Sequence, residues 1–215
     1  MAIDLPEPLR DEIYRFRDRY NIPLPLLLNL AALLLAPGTP VTKLNQAIRT
    51  VVSGVEDVVR RGSRKFALNR LTHLYFDTFI EHQPNFPYAA GYKTVTFYHG
   101  AHTGGFLTGM TFQDRVYLGW RPRQVPAELA AVFHEYVHTF QYKRFGLVPF
   151  IEIYVGNFLG NLVREALSRG PNTAYEDIRF EAEAFGMETP VAAFLDNPVI
   201  ALPTRLRPLD PTALA

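Results

Sequence analysis

The chain contains no cysteine among its 215 residues. This absence excludes disulfide frameworks, thiolate metal sites and cysteine nucleophiles, so any metal must be bound by histidine, aspartate or glutamate. It also fits a reducing compartment. An excess of one charge is missing too, because 22 Lys and Arg face 21 Asp and Glu, for a formal net charge of +1. This balance gives no indication of nucleic acid as a partner.

Long apolar runs are also missing. The most apolar stretch, from Ile22 to Ala36, contains Pro23 and Pro25 and is shorter than the roughly 20 residues that a membrane span needs. We interpret it as a buried helix, with contact to a membrane surface or a partner as the alternative. Acidic residues from Asp4 to Asp18 precede it, which is atypical of an export signal. We therefore expect a cytoplasmic protein, with leaderless export as the alternative.

Apolar residues at helical spacing predict most of the secondary structure. Before residue 85 they predict helices over residues 44–59 and 64–81. Later in the chain they predict helices over residues 126–145, 147–168 and 175–196, with Pro126 well placed to begin the first of these and Gly146 to end it.

Three stretches between these helices are rich in β-forming residues, namely residues 94–98, 106–112 and 115–120. A glycine-rich loop over residues 99–105 separates the first two. The whole pattern predicts an α+β fold that is mostly helical, with a small β-sheet packed beside one of the helices.

One predicted helix contains the motif His134-Glu135-x-x-His138. Residues four apart lie on one face of a helix, so two imidazoles at this spacing can converge on one zinc ion. Glu135 points to one side, where it can hold a water molecule without binding the metal itself. The alternative is a buried helix whose two histidines form hydrogen bonds within the fold.

The motif lies opposite the apolar face of its helix. That face is formed by Leu129, Val132, Phe133, Tyr136, Val137 and Phe140. Gln141 lies on the histidine side. It could form a hydrogen bond near the metal or its ligands, but we favour the simpler interpretation that it caps a polar patch.

A catalytic zinc site needs a third protein ligand and an open position. Glu181 is our choice, because it shares a helix face with Ile178 and Phe185, and a buried carboxylate without a partner is costly. In the absence of a metal, an arginine such as Arg164 would be its partner. The other candidate ligands are Glu183, Glu176, Asp177, Glu165 and Glu152.

These residues resemble the gluzincin branch of the zincin metallopeptidases. Glu181-x-x-Ala184 is similar to the Glu-x-x-Ala-Asp element of some of these enzymes, although Phe185 stands where they have aspartate. The segment 134–141 also resembles small metallopeptidase-like domains of bacterial toxin and injection-system proteins. The resemblance covers about residues 94–187. It implies a zincin-type fold in which an edge strand holds an extended substrate, and residues 115–120 are our candidate for that strand.

The resemblance implies a zinc-dependent hydrolase, acting as a peptidase on a peptide or protein substrate, with Zn²⁺ as cofactor. Glu135 would be the general base, and Tyr175 is our candidate for the donor that stabilises the oxyanion, with His99 and His102 as rivals. The alternatives are a hydrolase of non-protein amides and a non-catalytic binding protein with a structural or vestigial zinc site.

The predicted organisation is one domain over residues 1–215. Residues 1–90 form its helical part, residues 91–198 its metal-binding catalytic part and residues 199–215 its tail. The sequence contains no internal repeat and indicates no oligomeric state.

Overall fold

A computed structural model describes residues 14, 38, 40–82, 95–103, 108–123, 125–168 and 175–197. The apolar stretch from Ile22 to Ala36 and the tail from Pro198 lie outside these residues, so the expectations for them remain predictions. No helix in the described part of the chain combines the length and the apolar character that crossing a membrane requires.

The described elements confirm a mostly helical α+β fold with a small sheet. In chain order they are α1 Val41–Arg60, β1 Arg64–Phe66, α2 Arg70–His82, β2 Thr96–His99, β3 Gly109–Phe112, β4 Arg115–Leu118, α3 Pro126–Phe145, α4 Leu147–Ser168 and α5 Arg179–Asp196.

The four strands form one mixed sheet in the order β1-β2-β4-β3. The β2 and β4 strands are parallel, whereas the β1–β2 and β3–β4 pairs are antiparallel. Within the described residues, β3 and β1 are therefore the outer strands. The prediction that residues 115–120 form the substrate-holding edge is wrong, because β4 has a neighbour on both sides. Its buried run Val116-Tyr117-Leu118 is typical of a strand covered on both faces.

Two predicted helices begin later than the sequence pattern indicates. Arg64–Phe66 is not helical but pairs with β2 as an outer strand, and α2 begins only at Arg70. Likewise Tyr175 lies in a turn closed by a 3.0 Å hydrogen bond from the Ile178 amide, and α5 begins at Arg179. A short segment whose polar side chains face solvent has too few apolar positions to show whether their spacing is that of a helix or of a strand.

The sheet is covered on both faces. Val116 and Leu118 share a core with α2, α3 and α5, whereas Tyr117 packs into a second core with α1 and α4. Successive side chains of a strand point to opposite faces of the sheet, so neighbouring residues of β4 enter different cores.

Helix α3 lies at the centre of the molecule and is buried along almost its whole length. Pro126 occupies its first turn, and Gly146 ends it with a positive φ of 80°, a conformation that glycine adopts without a steric penalty. Phe133 is fully buried between Phe76 and Phe79, with ring centroids 4.9 and 5.2 Å away. Burial of each such ring contributes about 1.5–3 kcal/mol, so the helix is held rigidly on its apolar side.

Candidate metal centre

Three buried side chains from two helices meet at one point. His134 and His138 come from α3 and Glu181 from the first turn of α5. The two histidine Nε2 atoms are 3.3 Å apart, and Glu181 Oε2 lies 3.1 Å from Nε2 of His134. Glu181 Oε1 lies 3.4 Å from Nε2 of His138. The structure thus brings together the three residues that the sequence predicts as ligands.

The spacing of these atoms suits a small tetrahedral cation. Ligand atoms at 2.0–2.1 Å from zinc, at tetrahedral angles, are about 3.3 Å from one another. The 3.3 Å between the two Nε2 atoms and the 3.1 Å from Nε2 of His134 to Glu181 Oε2 lie close to this value. Nε2 of His138 has the other oxygen of the same carboxylate, Oε1, 3.4 Å away. The donor set of two nitrogens and a carboxylate is also one that zinc accepts, so the residues present fit the ion.

Gln141 fixes the protonation pattern of His138. Its Nε2 donates hydrogen bonds to the Phe180 carbonyl at 3.1 Å and to a Glu183 carboxylate oxygen at 2.8 Å. Both acceptors require the amide nitrogen on that side, so Gln141 Oε1 faces Nδ1 of His138, 2.7 Å away, and must accept its proton. The lone pair of His138 is therefore on Nε2, which faces Glu181. The prediction that Gln141 only caps a polar patch is wrong, because its side chain is fully buried against a histidine of the centre.

Glu188 plays the corresponding part for His134. Its Oε1 lies 2.9 Å from Nδ1 of His134, in an ion-pair contact. A carboxylate at Nδ1 directs the lone pair of the ring towards the metal side. Phe185, at the position where the resembling enzymes have aspartate, instead packs its ring on His134 with centroids 4.5 Å apart.

The centre attracts positive charge. Burial lowers the pKa of His134, but the Glu181 and Glu188 carboxylates outweigh it and raise this pKa to about 10. Burial also opposes ionisation of Glu181, yet His138 and His134 hold its pKa well below the usual range. Without a metal, a protonated His134 forms an ion pair with Glu181 across the 3.1 Å contact. A metal ion bound to these side chains would take the place of that proton.

Two tyrosines enclose Glu181. The Tyr154 hydroxyl donates a 2.7 Å hydrogen bond to Glu181 Oε1, and Tyr175 shares side-chain hydrogen bonds with both residues. Burial, with the Glu181 charge adding to it, raises the pKa of each phenol well above its ordinary value. Both tyrosines therefore remain neutral hydrogen-bond donors at physiological pH.

Glu135 is held beside the centre by the outer strand β3. Thr111 Oγ1 lies 2.8 Å from Glu135 Oε2 and 3.0 Å from the Glu135 carbonyl oxygen. Gly109 packs so closely that an added Cβ would lie 2.6–2.8 Å from the Glu135 carboxylate group. Burial raises the pKa of Glu135, while His138 and His134 act in the opposite direction. A raised pKa suits a group that must take up and release a proton near neutral pH.

A cavity of about 150 Å³ opens onto the same side chains. Glu135, His138 and Glu181 line it together with Tyr175, so the predicted base, two predicted ligands and the predicted oxyanion donor share one space. Strand β3 forms one wall and helix α4 another.

The rival third ligands whose side chains the structure describes are not part of this cluster. Asp177 is exposed and forms a 2.7 Å ion pair with Arg164, which is therefore not the partner of Glu181. Glu183 accepts the hydrogen bond from Gln141. Among the described side chains, which do not include that of Glu165, the cluster of potential ligands also omits Glu152 and Glu176.

The rival oxyanion donors lie outside the cavity. His99 ends β2 and packs its ring on Phe66, with centroids 5.7 Å apart. His102 is exposed, and its amide donates a 3.0 Å hydrogen bond to the Val59 carbonyl. Neither residue lines the cavity beside Glu135.

Comparison of the chain with models of known protein families, with curated proteins and with solved structures gives no match.

Sequence reasoning missed four residues around the centre, namely Gly109, Thr111, Tyr154 and Glu188. Glu188 alone had a local signal, since it follows Glu181 by two helical turns and therefore shares its face of α5. The other three reach the centre through packing between elements distant in the chain.

Proposed function

We propose that this chain is a zinc-dependent hydrolase that cleaves peptide bonds, with His134, His138 and Glu181 as metal ligands and Glu135 as general base. The observation that carries the proposal is the buried triangle of two imidazole Nε2 atoms and one carboxylate group, with contacts of 3.1–3.4 Å, beside a cavity that Glu135 also lines.

The surroundings of the triangle support a metal rather than a set of structural hydrogen bonds. Gln141 and Glu188 occupy the outer nitrogens of the two rings, which leaves both Nε2 atoms to face Glu181. Outer partners of this kind orient histidine ligands in metal sites. The same arrangement directs both Nε2 atoms and the Glu181 carboxylate to one point, where a single cation could be bound by all three side chains.

A bound zinc ion supplies Lewis acidity, which makes water a nucleophile near neutral pH and polarises a carbonyl group. Glu135 would accept a proton from the attacking water and deliver it to the leaving amine. Thr111 holds the carboxylate in place during this transfer. Tyr175, kept neutral by burial, donates a hydrogen bond to the carbonyl oxygen as that oxygen gains charge.

Strand β3 supports a peptide as the substrate. It is an outer strand of the described sheet, and all four of its residues line the cavity. An extended peptide can add to such an edge through main-chain hydrogen bonds. That position would bring a peptide bond beside Glu135.

The test is the Glu135→Gln variant. It should retain one zinc ion per chain, measured by elemental analysis, and lose about 10²–10⁴-fold in the rate of cleavage of a peptide library. The matched control is Glu152→Gln, a half-buried glutamate of α4 that does not line the cavity, which should cleave at the parental rate.

Two results would contradict the proposal. One is cleavage by Glu135→Gln as fast as by the parent chain. The other is complete unfolding of the protein when a chelator removes the metal, because that behaviour defines a structural zinc site.

A further inference from the structure

We propose that the cavity beside Glu135 receives an apolar side chain, of leucine to phenylalanine size, from the residue next to the cleaved peptide bond. The inference rests on the proposed peptidase function and names its substrate class as peptides with a bulky apolar residue at that position.

The cavity wall away from the centre is mostly apolar. Met110 and Phe112 contribute from β3, and Phe150, Ile151 and Tyr154 from α4. The described lining residues include no lysine, arginine or aspartate. The carboxylates that do line it, Glu135 and Glu181, belong to the centre. A charged substrate side chain packed on the apolar wall would therefore lose its hydration without gaining a partner from that wall, which is costly.

Stacked rings make this wall rigid. Phe150 lies between Tyr142 and Phe180, with ring centroids 3.8 and 4.6 Å away and nearly parallel planes in the second pair. In contrast, Met110 and Ile151 are half-buried on β3 and α4 and can contact a ligand. Methionine is flexible enough to adapt its shape to different apolar groups.

The size of the cavity limits its occupant to one side chain. A volume of about 150 Å³ is enough for a group the size of benzene. Because Glu135, His138 and Glu181 line the same space, the side chain that enters must belong to a residue adjacent to the reacting bond. A sugar or another strongly polar group would leave its hydroxyls without partners against this wall.

The experiment measures binding separately from catalysis. Acetylated pentapeptide amides Ala-Ala-X-Ala-Ala, with X as Leu, Phe, Ala, Asp or Lys, are titrated by NMR into the zinc-loaded Glu135→Gln protein. The same peptides are offered to the wild-type chain for cleavage. The Leu and Phe peptides should bind at least about 10-fold more tightly than the other three.

Substitutions at Ile151 test whether the cavity wall determines the preference for apolar side chains. Ile151→Lys should reverse the order so that the Asp peptide binds best, because a cation then faces the cavity. Ile151→Phe, which keeps the wall apolar but reduces the volume, should weaken binding of the Phe peptide about 10-fold and leave the Ala peptide unchanged. The matched control is Val155→Lys, one turn further along α4, half-buried and outside the cavity lining, which should keep the wild-type order.

The results separate this inference from the proposed function. Equal binding of all five peptides overturns the inference, as does an unchanged order in both Ile151 variants. Cleavage without side-chain preference would overturn it while the peptidase function stands. Selective binding of the Leu and Phe peptides without cleavage by the wild-type chain would support the cavity preference and contradict the peptidase function.

Discussion

The Gln141→Leu variant tests the arrangement of hydrogen bonds behind the candidate metal centre. Leucine has similar size but offers neither the acceptor that receives the Nδ1 proton of His138 nor the donors that bind the Phe180 carbonyl and Glu183. The imidazole then loses the contact that fixes its orientation and tautomer. We expect weaker zinc binding and a less stable protein, for separable reasons.

The expected magnitudes follow from the burial of these groups. Loss of an outer partner of a metal-bound histidine costs about 10–100-fold in metal affinity. Separately, Nδ1 of His138 is left without a partner in the interior, and such a group costs about 1–3 kcal/mol of the free energy of unfolding. Gln141→Glu is the matched variant, because it keeps an acceptor for His138 but loses both donors and places a carboxylate against Glu183. It should therefore be destabilised and yet bind zinc within a few-fold of wild type.

The assay is competition with a chromophoric chelator at constant pH, alongside thermal unfolding with and without zinc. The stabilisation by zinc should shrink in Gln141→Leu, because it depends on the logarithm of zinc concentration over Kd. If the folded Gln141→Leu protein binds zinc as tightly as wild type, the assignment of the lone pair to Nε2 of His138 is wrong.

Three further predictions concern groups packed against the centre or the sheet. Thr111→Val should lower kcat about 10-fold with zinc content and KM unchanged, because it removes the hydroxyl that holds Glu135. Thr111→Ser, which keeps the hydroxyl, should have the wild-type kcat. Equal rates for the wild type and both variants would refute this role of Thr111. Gly109→Ala should abolish peptide cleavage but retain zinc, since the new Cβ would lie 2.6–2.8 Å from atoms of the Glu135 side chain. Full activity of this variant would instead show that β3 can move away from Glu135. Tyr117→Phe removes a buried 2.7 Å hydrogen bond to Glu56 and should lower the free energy of unfolding by about 1 kcal/mol in a denaturant titration, without any change in zinc affinity.

The central part of the site could be predicted from the sequence because it depends on local geometry. The spacing of His134 and His138 places both rings on one face of any helix, wherever that helix packs. The choice of Glu181 also follows from a helical face, because a carboxylate among apolar neighbours needs a partner. In the structure the Glu181 side chain is buried and contacts both rings.

The order of the strands could not be predicted in the same way. Residues 115–120 directly precede the metal helix, which favoured them as the substrate edge. The parallel pairing of β2 with β4 instead makes β3 the outer strand beside Glu135. Which strands are neighbours in a sheet depends on which faces of the sheet the helices cover. The order of the segments along the chain says little about this.

The amino-acid sequence by itself determined the periodic features. These are the helices α1, α3 and α4, the mostly helical α+β class and the one-turn spacing of two imidazoles. The tertiary structure alone decided which residues contact those imidazoles and the neighbouring Glu135. Gln141, Glu188 and Thr111 contact the centre through hydrogen bonds or close approaches whose partners depend on how helices and strands dock. The physical reason is that helical and strand periodicity act over a few residues, whereas these contacts form only when segments remote in the chain bury a common surface.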